Sequence, residues 1–272
     1  MDGSKGVIRM RFGNCVDLVA AAKGDRRVVD WMMGAKFDFL EANLTSLARA
    51  TEAEFLAAKA LAEESGMPVP VCNCMFPRDI RIAGGDQQPA AIREYVDSAF
   101  LRASALGVKK VVLGSDKSRQ LPDGYDQDRA YAEFIDVVKE CVVPYCEKYA
   151  ITVVIEPLRK PCNFINTLPD GMRVVRGVNS PWVMLLADTI HMITSGENPD
   201  YVREICGFLR HVHVSDWNRA LPEFGYSSEL TGVLRAIRLS GYDGDFSFEA
   251  SAGKTDQSLQ RALILLKQKL GA

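Results

Sequence analysis

Histidine is scarce in this sequence. There are three in 272 residues, all between His191 and His213, so a histidine-rich cluster of several metals is excluded. Charge of one sign is also lacking: 33 basic against 35 acidic residues leave a formal −2, which exerts no net pull on nucleic acid or an anionic membrane surface. No apolar stretch approaches the ~18 residues that a membrane span needs. Seven cysteines form an odd set without disulfide-framework spacing, and no signal-peptide pattern precedes them. The expectation is reduced thiols in a cytoplasmic protein with a small-molecule partner. Cys72-x-Cys74 has no second pair at zinc-finger distance and reads as alternating small residues on a buried strand. No linker, low-complexity tract or charge block divides the chain, so a single domain over 1–272 is expected.

With 47% apolar residues the chain can bury a large core. Eight short runs of β type alternate with longer helical patterns: 8–14, 36–44, 69–76, 109–115, 151–158, 182–189, 209–216 and 245–251. Successive runs begin about 27 to 42 residues apart, room for a strand, a helix and two loops. Eight such units predict an α/β chain closed into a (β/α)8 TIM barrel. Between them, Thr51 with an acidic first turn starts a helix that Gly66 and Pro68 end. Pro89 opens another that ends at Gly107. Pro144 predicts a break in the long segment 132–149, and SLQRALILLKQKL supplies the eighth helix.

Metal-type ligands follow four consecutive runs: Glu156 after VVI, Asp188 after MLLA, His213 within RHVHV and Glu249 after FSF. Strand side chains alternate, so Glu156 shares a face with Val154, Asp188 with Leu186, His213 with His211, and Glu249 with Ser247. All four then converge at the C-terminal mouth, where this fold keeps its active sites. Three carboxylates in a recess call for a cation. Three oxygens and one nitrogen, with room for two further ligands, suit an octahedral Mn²⁺, Mg²⁺ or Co²⁺, manganese first because a histidine is among the ligands. Taken singly, each residue also has a plain structural reading: Glu156 as a cap or ion pair, Asp188 as a cap of the next turn, His213 as a core histidine. The conjunction at one phase of four adjacent units favours the metal. His211, one layer deeper, reads as hydrogen-bonded barrel filling. His191 lies in the loop beyond Asp188, and Arg219 in DWNR beyond run seven; both are placed to touch a substrate. Asn14, Glu41 and Asn163 sit where they would contact substrate hydroxyls or serve as turn and cap residues. The segment 252–255, with Lys254, offers a weak phosphate site before the last helix.

At these residues the chain resembles the sugar phosphate isomerase/epimerase family, the xylose isomerase-like TIM barrels that include ketose 3-epimerases. The match runs through EPLxxxxNFINT (156–167), LLADTIHM (185–192), HVHVSDWNR (211–219) and GYDGDFSFE (241–249), with Glu41 in FDFLEANL from the first half. The resemblance implies Glu156, Asp188, His213 and Glu249 as metal ligands and Glu156 with Glu249 as the proton-transfer pair. It also implies His191 and Arg219 as substrate contacts. Many ketose epimerases carry another Glu shortly after the one on strand five; Pro161 or Cys162 takes that place here.

The chemistry so implied is enediolate formation. A divalent ion on adjacent carbonyl and hydroxyl oxygens of a sugar stabilises the enediolate while one carboxylate removes the α-proton and another returns it. Return to the opposite face is epimerisation, and return to the neighbouring carbon is isomerisation. Loss of a β-leaving group would give a lyase or dehydratase on a keto-sugar or keto-inositol. A non-catalytic sugar-binding barrel and an abasic-site endonuclease are the other classes; few histidines and the near-neutral charge oppose the latter. Barrels of the resembled family often form homo-oligomers, but no segment here declares an interface.

Overall fold

The computed structural model describes residues 10–251 and 254–272. Eight parallel strands close into one barrel in chain order: β1 (Arg11–Val16), β2 (Phe39–Asn43), β3 (Val71–Asn73), β4 (Lys110–Leu113), β5 (Thr152–Ile155), β6 (Val183–Asp188), β7 (Leu209–Val214) and β8 (Asp245–Phe248). Strands β2 to β8 each lie inside one of the expected runs, whereas β1 continues to Val16, two residues past the expected 8–14, of which residues 8 and 9 fall outside the described residues. The single (β/α)8 barrel is therefore the fold.

The alternation within the strands sorts side chains into two layers. Phe39, Val71, Val112, Val154 and Leu186 fill the barrel axis with Met184 against them. Phe12, Cys72, Val153, Ile155, Leu185, Phe246 and Phe248 instead join the larger core between barrel and helices. Gly13 on β1 makes the inner packing possible, because a Cβ there would lie 2.2 Å from the Phe39 ring. Phe39 can cross the axis only because that position has no side chain.

Helix boundaries follow local chemistry. Thr51 and Glu54 form a reciprocal capping box at the start of Glu52–Ser65, and Gly66 ends that helix at φ 68°. Pro89 occupies the first turn of Pro89–Ala105, where a missing N–H costs nothing. The break before Pro144 is real: one helix runs Gln127–Cys141, the chain is displaced at Val142, and a second runs Val143–Tyr149. The last helix spans Asp256–Leu270.

The run at 69–76 is mostly not strand. β3 stops at Asn73, and Cys74 adopts φ 53°, a left-handed turn that ends the ladder. The expectation that Cys72 and Cys74 share a buried strand is thus half right. Cys72 is buried, whereas Cys74 is exposed and lines the cavity at the mouth.

Candidate metal centre

The four expected ligands come together. One ligand atom each from Glu156, Asp188, His213 and Glu249 lies within 4.8 Å of all the others. Registry explains the convergence. Asp188 on β6 pairs with His213 on β7, and His213 with Ser247 on β8. Glu156 and Glu249 each stand one residue past a strand end, pinned by backbone bonds from Glu156 N–H to Leu113 O (3.2 Å) and from Glu249 N–H to Val214 O (3.1 Å). Room for one of them is made at the end of the neighbouring strand β4, since a Cβ on Gly114 would lie 2.1 Å from Glu156 Oε2.

His213 is the centre of the group. It is fully buried, and Nδ1 lies 3.3 Å from Glu156 Oε1, 3.6 Å from Glu249 Oε2 and 3.9 Å from Asp188 Oδ2. Its other nitrogen, Nε2, is 2.8 Å from Glu41 Oε1. Asp188 resolves its two sequence readings by serving both: Oδ1 accepts from the Ile190 and His191 N–H groups (2.8 and 3.3 Å), capping the next helix. Oδ2, in a side chain with no exposed surface, has no hydrogen-bond partner among the described residues. A buried carboxylate oxygen without a partner is costly, and this one faces the other three ligands. That orphan, together with three oxygen donors and one nitrogen, fits a divalent cation.

The electrostatics agree. Burial pushes the Asp188 carboxyl above its ordinary pKa, and the Glu156 charge adds to the shift. Burial opposes charge on His213, yet Glu41, Glu249 and Glu156 prevail and raise its pKa well above the usual imidazole value. The surroundings therefore draw positive charge into this spot. Arg219 is the protein cation nearby. Its Nη1 is bonded to the Glu249 carboxylate and stands 4.0 Å from Asp188 Oδ2. The chain reaches that position through left-handed Asn218 and Arg219 (φ 59° and 53°).

The remaining expected residues divide. His191 lines the cavity with Arg219; its Nδ1 accepts from Arg159 N–H (3.2 Å), and Nε2 lies 3.0 Å from Arg219 Nη2. Burial lowers the His191 pKa to about 4. Glu41 does not face the cavity. It is fully buried under the site, with its second oxygen 2.8 Å from His211 Nε2. Both its oxygens are occupied by imidazoles, so its contacts are with the rings of His211 and His213 rather than with the cavity. His211 is the hydrogen-bonded filler expected, with burial lowering its pKa to about 4 against the pull of Glu41. Asn163 also departs from a substrate contact: its amide makes two bonds of 2.9 Å with the backbone of Leu121, joining two loops. Asn14 is buried and donates to Cys15 O and toward Met32 Sδ, on the helix side of β1. For the phosphate loop, Ala252 and Gly253 lie outside the described residues, and Lys254 donates to Cys15 O (3.3 Å).

Sequence reasoning missed Arg119. It ends the short helix Asp116–Arg119, is fully buried, and donates to the carbonyls of Glu156 (2.8 Å) and Ile165 (3.3 Å). It thereby fixes the backbone that carries Glu156. No hydrophobic periodicity marks it, so only the three-dimensional placement identifies it.

A cavity of about 680 Å³ opens over the cluster, lined by Glu156, His191, Arg219 and Glu249 and extending under the loops after β2 to β5. This is the size expected of a small-molecule site. Among the described residues no helix is long and apolar enough to cross a membrane.

Comparison with known proteins agrees with this architecture. The family model described as xylose isomerase-like TIM barrel matches residues 29–269. A search of curated proteins gives no match. Among solved structures, a D-psicose 3-epimerase in the presence of D-fructose superposes with TM-score 0.82 at 16% identity, covering 97% of this chain and 100% of the other. A D-allulose 3-epimerase from Methylomonas sp. gives 0.82 at 18%, covering 96% and 98%. The IOLI protein with a binding zinc atom gives 0.74 at 17%, covering 96% and 98%.

Proposed function

This chain belongs to the xylose isomerase-like TIM barrel family, and on that footing we propose that it is a divalent-metal-dependent isomerase or epimerase of a sugar. The observation that carries the proposal is the buried, unpartnered Oδ2 of Asp188 at the focus of Glu156, His213 and Glu249. The fold-level likeness to solved sugar epimerases and to a zinc-holding barrel supports the same reading.

Glu156, Asp188, Glu249 and Nδ1 of His213 would hold the ion, Mn²⁺ being preferred for a set of three carboxylates and one imidazole. When bound, such an ion supplies Lewis-acid stabilisation of negative charge on adjacent sugar oxygens. Glu156 and Glu249 are the proton-transfer pair. One, as the carboxylate, takes and keeps the proton from the carbon next to the sugar carbonyl, and the other, as the carboxylic acid, delivers its own proton to the opposite face of that carbon or to the neighbouring carbon. Both approach from the cavity side of His213. Arg219, in the turn after β7, and His191, in the short helix Thr189–Thr194 after β6, orient substrate oxygens, and the lowered pKa of His191 leaves it a hydrogen-bonding group rather than a charge. Glu41 accepts the Nε2–H of His213, leaving Nδ1 free as the ligand nitrogen.

The test is deuterium incorporation from heavy water into a panel of ketoses and aldoses by Mn²⁺-loaded protein. Exchange at the carbon next to the carbonyl, lost in Glu156→Gln and Glu249→Gln, is the expected result. β-Elimination products would make it a lyase, and unchanged exchange in both variants would remove the proposed pair.

A further inference from the structure

Arg219 reaches the site from a backbone conformation that its side chain disfavours. Asn218 and Arg219 both lie in the left-handed region, at φ 59° and 53°, within the turn Trp217–Arg219. Contact between Cβ and the carbonyl oxygen opposes that region, and it persists only where the surroundings impose it. The outcome is a guanidinium bonded to the Glu249 carboxylate and 3.0 Å from His191 Nε2. A relaxed, right-handed Arg219 would start its side chain in another direction and miss both.

Apolar burial does not impose the turn. Trp217 is 43% exposed, and Phe224, further along the same loop, is 85% exposed. On the barrel side Ser251 N–H holds the Arg219 carbonyl (3.0 Å). On the other side the restraint is Asp216. Its N–H donates to Ala220 O (2.9 Å), closing the turn across its base. Its carboxylate reaches further: Oδ1 accepts from Trp217 N–H (2.8 Å) and Ser227 Oγ–H (2.7 Å), and Oδ2 accepts from Ser227 N–H (2.8 Å). One side chain thus joins the two ends of the loop. Ser227 is itself fixed, because its hydroxyl accepts from Leu230 N–H (3.1 Å) and caps the helix Ser228–Leu239, which buries Leu230, Val233, Leu234 and Ile237. Asp216 therefore ties the turn that carries Arg219 to a packed helix. It does not line the cavity over the ligand cluster, as Arg219 does, but a different surface recess with Trp217 and Phe224.

Resting on the reading of the mouth as a sugar isomerase or epimerase site with Arg219 as a substrate contact, we infer that Asp216 is a positioning residue. Its carboxylate closes the loop that forces Arg219 left-handed, and so keeps the guanidinium on Glu249 and His191. Without it the turn relaxes, and Arg219 leaves the cavity wall while the four ligand residues stay in place.

The experiment compares the wild type with Asp216→Ala, Asp216→Asn, Arg219→Gln and Asp216→Ala/Arg219→Gln. The first readout needs no turnover: the rate at which phenylglyoxal modifies Arg219, followed by peptide mass mapping, with Arg27, 70% exposed, as internal reference. Asp216→Ala should raise the Arg219 rate about tenfold, the scale of the strain released, and leave Arg27 unchanged. Asp216→Asn, which keeps the two bonds at Oδ1, should fall between and carries both readouts should the alanine variant not fold. The second readout is kcat/KM on the ketose of the panel that exchanges deuterium. Asp216→Ala should lower it about tenfold or more, the worth of one charge-assisted contact, and should add nothing in the Arg219→Gln background. An Arg219 rate unchanged in Asp216→Ala, or a loss undiminished in the Arg219→Gln background, overturns the inference. The two readings fail separately. Faster modification of Arg219 without exchange in any sugar leaves Asp216 as its positioning residue and removes the epimerase reading; exchange with Arg219 still protected does the reverse.

Discussion

The two ends of the barrel treat buried carboxylates in opposite ways. At the N-terminal end, Asp245 is 5% exposed and receives Arg11 through two bonds of 2.8 Å and Lys110 Nζ at 2.5 Å. Two cations serve one carboxylate, and although burial acts to raise its pKa, Arg11 and Lys110 bring it below the ordinary value. At the C-terminal mouth, Asp188 is 1% exposed and, among the described residues, keeps an unpartnered oxygen and shares the Arg219 guanidinium with Glu249. Its pKa moves up, by burial and then by Glu156. One end is electrically closed by the chain itself. The other is left short of positive charge, which is how an ion-binding centre differs from a structural ion pair in the same fold.

The comparison is broken most strongly at the mouth. Glu156→Gln or Glu249→Gln should lower turnover by about 10³-fold, within the range for loss of a general acid or base, while leaving the thermal midpoint within a few degrees. Steady-state kinetics and a melting curve on the same samples check both halves. Asp245→Asn should do the converse. Removing one partner of a buried pair leaves Lys110 uncompensated and costs about 3 kcal/mol, read by denaturant unfolding, with metal affinity unchanged. The pH sense follows from the depressed pKa of Asp245: its contribution is present above the unfolded carboxylate value and is lost as pH falls through the folded one. Wild-type stability should therefore decline in the acid range below about pH 4, and the Asn variant should lack that part of the decline.

Metal removal acts on the mouth alone. Saturation at a hundred times the dissociation constant stabilises by about 2.7 kcal/mol, so a chelator should lower the melting temperature of wild-type protein and leave Asp188→Ala unaffected. The smallest effect expected is that of Glu41→Gln, where loss of the carboxylate behind His213 should weaken metal binding by about 10- to 100-fold without abolishing it.

How much of this was legible in the sequence depends on how local the cause is. Glu156, Asp188, His213 and Glu249 were readable because each follows an apolar run, and the strand period of two assigns each a face. The capping box at Thr51 and the break before Pro144 were readable for the same reason: the partners are a few residues apart. Glu41 is legible as a candidate hydroxyl contact in the second run but not as the partner of His211 and His213, which are 170 and 172 residues away across the barrel. Asn163 reads equally as a hydroxyl contact or a turn residue, because Asn suits both; only the fold brings it to Leu121, 42 residues distant. Arg119 left no trace, since its burial is created by the loop that closes over it.

The central claim is that the mouth is built for one divalent ion. Calorimetric titration of chelator-treated protein with Mn²⁺ tests it most directly. One equivalent per chain should bind in the wild type, with binding lost in Asp188→Ala and retained in Asp245→Asn. Absence of any bound divalent metal after reconstitution, or binding that survives Asp188→Ala unchanged, would contradict it.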